Sequence, residues 1–269
     1  MASLQQQIIQ QLRVQPTIDP QQTIDRIVAF LASYVVEAGA RGYVLGVSGG
    51  QDSTLVGALA QRAVARVRRD GGVCELWALR LPYGQQADEH DAELAMRFIA
   101  PDRAMTINIR DAVDTAAAAV GQALGSELTD YHRGNVKARV RMVLQYAVAG
   151  QQGLLVLGTG HAAESVTGFS TKFGDAACDV APLEGLTKRQ GRLLLQTLQA
   201  PERLYTKVPT ADLENERPML ADEEALGVSY DLIDDYLEGK VVNDRARQRI
   251  EKLYMASRHK RDGAAVMPR

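Results

Sequence analysis

Cysteine is nearly absent from this 269-residue chain, which holds only Cys74 and Cys178. Two separated cysteines exclude a disulfide framework and a multi-cysteine zinc site, and a reducing, intracellular setting is expected. Histidine is as scarce: His90, His132, His161 and His259 show no metal-ligand pairing, and no Ser-His-Asp or Cys-His set suggests a protein nucleophile. Charge of one sign is also missing. Thirty-one Lys and Arg against 33 Asp and Glu leave a net of −2, so no nucleic-acid or membrane surface is expected. No apolar run approaches the roughly 20 residues that cross a bilayer. The polar start Met1-Ala-Ser-Leu-Gln-Gln-Gln has no signal-peptide core, so a cytoplasmic protein is expected. Without a repeat or a linker, residues 1–269 read as a single domain. Its edges are a helix-prone extension over 1–19, a mobile lid over 205–225 and a flexible tail over 262–269.

What is present begins with the apolar run Tyr43-Val44-Leu45, followed by Gly46-Val47-Ser48-Gly49-Gly50-Gln51-Asp52-Ser53 and a helical pattern to about Arg68. A strand-to-helix turn rich in glycine and hydroxyls exposes backbone N–H groups at the positive end of a helix dipole, which makes an anion site. The turn lacks the lysine of the Gly-x4-Gly-Lys-Ser/Thr phosphate loop and carries Asp52 instead. An aspartate beside phosphates repels them unless a divalent cation lies between, so the pattern implies nucleotide plus magnesium. Further strands are expected at 42–47, 74–81, 105–109 and 154–157, alternating with helices. That alternation predicts an α/β fold, a doubly wound parallel sheet covered on both faces. A helix over 134–149 would place Val136, Val140, Val143, Leu144 and Ala147 on one apolar stripe, with Lys137, Arg139 and Arg141 off it. Asp52 is expected to face solvent and to contribute little to the core.

Gly158-Thr159-Gly160-His161-Ala162-Ala163 imitates a dinucleotide fingerprint, with Asp179 as the distant acid. Such a unit needs a full helix and a second strand, and Thr167-Gly168 and Phe173-Gly174-Asp175 interrupt the chain too early.

The run Ser48-Gly49-Gly50-Gln51-Asp52-Ser53 resembles the loop of the ATP pyrophosphatases, which split ATP between its α- and β-phosphates. Blocks farther on resemble the NAD synthetase family within that group: Gly134-Asn-Val-Lys-Ala-Arg139, Gly158-Thr-Gly-His-Ala-Ala-Glu164, Thr171-Lys-Phe-Gly-Asp175, Leu186-Thr-Lys-Arg-Gln-Gly191, Pro209-Thr-Ala-Asp-Leu213 and His259-Lys260. The resemblance spans about residues 20–262 and implies the ammonia-dependent reaction, in which deamido-NAD, ATP and ammonia give NAD, AMP and pyrophosphate. It implies ATP contacts at Gly46 through Ser53, Thr159, Lys188 and Thr210, with Asp52 and Lys188 in the chemistry. It implies Mg²⁺ on Asp52 and on Glu164, the latter expected on the loop beside Thr159. Deamido-NAD is assigned to Arg139, Lys172, Asp179, His259 and Lys260, at the interface of a homodimer.

The chain departs from the family at Gly160, where an aspartate is usual, at Ala176-Ala177, where two glycines are usual, and in lacking the acidic-aromatic ending. The rivals are a related pyrophosphatase that amidates or thiolates another acceptor, and a nucleotide sensor without turnover.

Overall fold

The computed structural model describes residues 2–84, 89–210, 213, 215–217 and 220–267. The chain runs α1 (Leu4–Gln11), α2 (Pro20–Glu37), β1 (Gly42–Gly46), α3 (Gln51–Arg69), β2 (Glu75–Arg80), α4 (Glu89–Ile99) and β3 (Arg103–Thr106). It continues through α5 (Arg110–Leu124), α6 (Asp130–Gln152), β4 (Leu155–Val156), α7 (Ala162–Thr167), α8 (Lys188–Thr197) and α9 (Arg203–Thr206). The last helices are α10 (Asp222–Leu226), α11 (Tyr230–Leu237), α12 (Asp244–Ala256) and α13 (Arg258–Arg261).

The four strands form one parallel sheet in the order β3-β2-β1-β4. Tyr43, Val44 and Leu45 of the central β1 are wholly buried, as an apolar run in a doubly covered strand should be. Tyr43 and Leu45 face a core built with α2, α3, α4 and α8, whereas Val44 faces α5 and α6. β1 and β4 are neighbours although β2 and β3 fall between them in sequence, so the strand order reverses just beyond Gly46. Ligands of open parallel sheets bind at such a switch point, outside the carboxyl ends of the strands.

Two expected elements shift. The third strand lies at Arg103–Thr106 rather than 105–109. Ile107 and Ile109 are apolar because they pack beneath the sheet on the way into α5, and Ile109 is wholly buried at the α5 N-cap. On α6 the packed row is Val136, Val140, Leu144 and Val148, spaced by four. Val143 is therefore 56% exposed and Ala147 faces solvent, while Lys137, expected on the polar side, is buried.

The dinucleotide imitation resolves as argued. The helix after Gly158 has six residues and stops at Gly168 in the left-handed conformation. The N-terminal stretch forms α1, whose Ile8 enters a second core made with α7, α11 and α12. Residues 262–267 carry no helix or strand, and Met1, Pro268 and Arg269 lie outside the described residues. No described helix is long and apolar enough to cross a membrane.

Candidate active site at the carboxyl edge of the sheet

The loop between β1 and α3 starts in the ladder and leaves it. Gly46 N–H donates to Gln145 Oε1 at 2.9 Å and Val47 N–H to the Leu79 carbonyl at 2.8 Å, so these two amides are engaged within the protein. Gly49 then adopts φ +85° and turns the chain into α3, whose N-cap, Gly50, supplies no side-chain cap. The first-turn amides of a long helix thus remain without an intrinsic acceptor at the mouth of the sheet. Ser48 and Ser53 close the loop, their hydroxyls 3.2 Å apart.

Gln51 behaves differently from its expected role. Its side chain is buried, and Nε2 donates to the Lys188 carbonyl at 3.0 Å. Only its backbone faces the loop, and the side chain locks α3 to the start of α8. Lys188 sits at the first position of α8, against the dipole. Two anions compensate. The Asp234 carboxylate of α11 accepts from the Lys188 and Arg189 amides at 3.1 and 2.7 Å, and Lys188 Nζ donates to Asp52 Oδ2 at 2.6 Å.

Asp52 is consequently less solvent-facing than expected, with its side chain 18% exposed against a lysine that is 6% exposed. Glu164 lies in the first turn of α7 rather than on the loop. Thr159 lies two residues before the N-cap of that helix, His161. Asp52, His161 and Glu164 converge, with one donor atom from each within 4.8 Å of the others. His161 Nε2 is 3.7 Å from Asp52 Oδ1 and 3.7 Å from Glu164 Oε1. Both ring nitrogens are buried without a hydrogen-bond partner, a situation that costs about 1–3 kcal/mol per orphaned group. Tyr230 and Asp222 border the same space. The Tyr230 hydroxyl donates to Asp222 Oδ2 at 3.1 Å, and its ring lies 5.2 Å from Lys188 Nζ.

The electrostatics are short of positive charge. Burial raises the Asp52 carboxyl, but Lys188 and the His161 imidazole outweigh it and hold the group below the ordinary carboxylate range. Burial, then the charge on Asp52, push Glu164 well above that range. Burial also lowers His161 to about 4, so the imidazole is neutral at physiological pH. Two convergent carboxylates and an unpartnered imidazole nitrogen fit a divalent cation by kind of donor, while the Lys188 ammonium takes the other oxygen of Asp52.

The residues that the resemblance assigns to deamido-NAD come together in part. Arg139 Nη2 donates to the Lys172 carbonyl at 3.3 Å, Lys172 Nζ to the His259 carbonyl at 2.7 Å, and Lys260 Nζ to the Gly168 and Ser170 carbonyls at 2.7 and 2.6 Å. Residues 120 positions apart in sequence thereby share one surface. Asp179 stands apart, its carboxylate accepting from the Val156 amide and the Tyr146 hydroxyl and so securing the short β4. Thr210 pairs with Ala221 in an antiparallel bridge at the base of the expected lid. Ala211, Asp212, Glu214, Pro218 and Met219 of that lid lie outside the described residues.

Sequence reasoning passed over His161, Tyr230, Asp222 and Asp234. For His161 a signal existed: its spacing of three from Glu164 puts both at one end of a helix. The others come from helices far along the chain, and nothing local marks them.

Residues 23–264 match the family described as NAD synthase. An NH(3)-dependent NAD(+) synthetase of Nocardia farcinica is 59% identical over 262 residues, covering 97% of this chain and 96% of its own. A solved NAD+ synthetase of Burkholderia pseudomallei is 46% identical with a TM-score of 0.84, covering 96% of this chain and 95% of its own. A solved NMN synthetase of Francisella tularensis is 33% identical with a TM-score of 0.82, covering 94% and 99% respectively. The fold, the loop at the switch point and these similarities agree: the chain belongs to the NAD synthase family.

Proposed function

We propose that this chain joins ammonia to the nicotinate carboxylate of deamido-NAD, with ATP converted to AMP and pyrophosphate. The observation that carries this reading is the convergence of Asp52, Glu164 and Lys188 beside the uncapped start of α3. In the first step the carboxylate displaces pyrophosphate from the α-phosphorus. In the second, ammonia adds to the carbonyl carbon of the resulting acyl-adenylate and AMP leaves.

The loop from Gly46 to Ser53 receives the phosphates, chiefly through the amides beyond Val47. Lys188 supplies a positive charge to the phosphate oxygens, and Thr159 and Thr210 flank the nucleotide. Asp52 and Glu164 would hold Mg²⁺, which when bound neutralises charge on the departing pyrophosphate. Arg139, Lys172, His259 and Lys260 form the basic surface for the anionic dinucleotide, and Asp179 meets it away from that surface, at β4. A second copy of the chain completes that surface in a homodimer, and the reaction belongs in the cytoplasm.

Water hydrolyses an acyl-adenylate, so the site needs a cover. Two segments meet over the first turns of α6. Tyr83 donates to Asp114 at 2.7 Å and accepts from Arg133 at 3.0 Å. Lys137 Nζ lies 4.2 Å from the centre of the Tyr83 ring and donates to the Leu213 carbonyl and Asn215 Oδ1, each at 2.7 Å. Asp130 accepts from the Asn215 and Glu216 amides. Replacing Lys137 by methionine is expected to loosen both segments. Turnover should fall about tenfold, and AMP should exceed NAD because adenylate leaks to water. A measured AMP-to-NAD ratio of one would show that Lys137 has no part in closure.

The NMN synthetase relative supports a second reading, a mononucleotide acceptor. Purified chain incubated with ATP labelled at the α-phosphate, Mg²⁺, ammonium and either deamido-NAD or nicotinate mononucleotide separates the two. Equal amounts of labelled AMP and NAD are expected from deamido-NAD, and much less amide from the mononucleotide. Release of ADP and orthophosphate would overturn both.

A further inference from the structure

We propose that His161 is a third ligand of the divalent cation, and that this chain consequently binds a first-row cation such as Mn²⁺ more tightly than its two carboxylates alone would. The inference rests on the carboxylate cation site proposed above and adds a nitrogen to its donors.

His161 is 2% exposed, and neither ring nitrogen has a hydrogen-bond partner. A buried imidazole is ordinarily held by a partner on at least one nitrogen. Its Nε2 instead stands at equal distances of 3.7 Å from Asp52 Oδ1 and Glu164 Oε1, too far to hydrogen-bond either. Donors that share one small divalent ion each sit about 2.0–2.2 Å from it, and so lie about 3–4 Å from one another. The two separations from His161 have that size, and all three donor atoms lie within 4.8 Å of one another.

The ring is also fixed. The His161 carbonyl accepts from the Ser165 amide at 3.0 Å, the next amide, of Ala162, donates to Leu186 at 2.9 Å, and the Tyr230 ring backs the imidazole at 6.3 Å between centroids. Lys188 takes Asp52 Oδ2, while Oδ1, which accepts from Gln51 Nε2 at a long 3.5 Å, stands 3.7 Å from the imidazole.

The chemistry follows from the donor types. Magnesium prefers oxygen and dehydrates reluctantly, whereas manganese, cobalt and zinc accept imidazole readily. Oxygen-only sites also rank these ions, so the imidazole is read from the Mn²⁺ affinity that is lost with it and from its nitrogen nucleus, not from a bare preference for Mn²⁺.

Pulsed electron paramagnetic resonance of Mn²⁺ on the full chain tests this, with and without α,β-methylene-ATP. The bound ion should show nitrogen modulation, which changes to the ¹⁵N pattern when the histidines are ¹⁵N-labelled. In His161→Gln that modulation should vanish, with Mn²⁺ affinity down about tenfold and Mg²⁺ affinity little changed. The isotope result needs no variant and stands if His161→Gln folds poorly. Bound Mn²⁺ without nitrogen modulation overturns the role of His161 and leaves the carboxylate site intact. Modulation that persists in a folded His161→Gln overturns it as well. No bound Mn²⁺ under either condition overturns the cation site itself.

Discussion

Exchange of Asp52 for alanine is expected to lower AMP formation at least about a thousandfold, because the proposed ligand of the cation beside the departing pyrophosphate is gone. It is also expected to cost stability, contrary to the solvent-facing placement that the sequence suggests. Lys188 is 6% exposed and donates to Asp52 at 2.6 Å, so alanine leaves an ammonium buried without its carboxylate. Breaking a buried pair from one side destabilises by about 3–5 kcal/mol; with Asp52 partly wetted, the lower end applies. The double variant Asp52→Ala, Lys188→Met should melt closer to the unaltered chain and remain inactive. Labelled-nucleotide assays and thermal melts on the three proteins check both halves. Activity retained in the single variant would remove Asp52 from the chemistry, and a double variant no more stable than the single one would remove the pairing argument.

Alanine at Gly49 and at Gly50 should have unequal outcomes although the residues are adjacent. At Gly49 the backbone has φ +85°, and an added Cβ would stand 2.5 Å from the Ala92 amide nitrogen of α4. The positive φ costs about 1–2 kcal/mol for a non-glycine residue, and the collision about 1–3 kcal/mol more. Because the loop and α4 must separate to relieve it, ATP-dependent turnover should fall at least about a hundredfold. At Gly50 the new Cβ would meet only the Ser48 hydroxyl at 3.4 Å, from a backbone at φ −83°. Gly50→Ala should keep stability within about 1 kcal/mol and lose less turnover than Gly49→Ala. Parallel melts and steady-state rates decide, and equal losses at the two positions would refute the geometry given for the loop.

Much of this was legible in the chain. Tyr43-Val44-Leu45 followed by two glycines and an aspartate states a buried strand, a turn and an exposed helix start, since each depends on neighbours in sequence. The parallel sheet follows from the alternation of strands and helices. Ile107 and Ile109 were misread because periodicity records burial, not strand pairing. Lys137 falls off the apolar stripe and yet is buried, because its partners, Leu213 and Asn215, are remote in sequence. Gln51, expected within the ATP-contacting loop, turns its side chain to the Lys188 carbonyl for the same reason, a partner that nothing local announces. Of the site, the loop was visible locally, whereas the pairing of Lys188 with Asp52 and the burial of His161 between two carboxylates exist only once α3, α7 and α8 are packed.

Asp52 rides on α3, whose apolar face belongs to the sheet, while His161 and Glu164 ride with α7, whose Ala162, Ala163 and Val166 are seated among Ile233, Ile250 and Tyr254. The gap between the two carboxylates therefore works as a gauge of how two separately packed bodies are seated on each other. A residue such as Ile250, which touches no nucleotide, sets the spacing of that gauge from behind. Drift in the C-terminal helices is on this account tethered to the phosphate chemistry at the far end of β1.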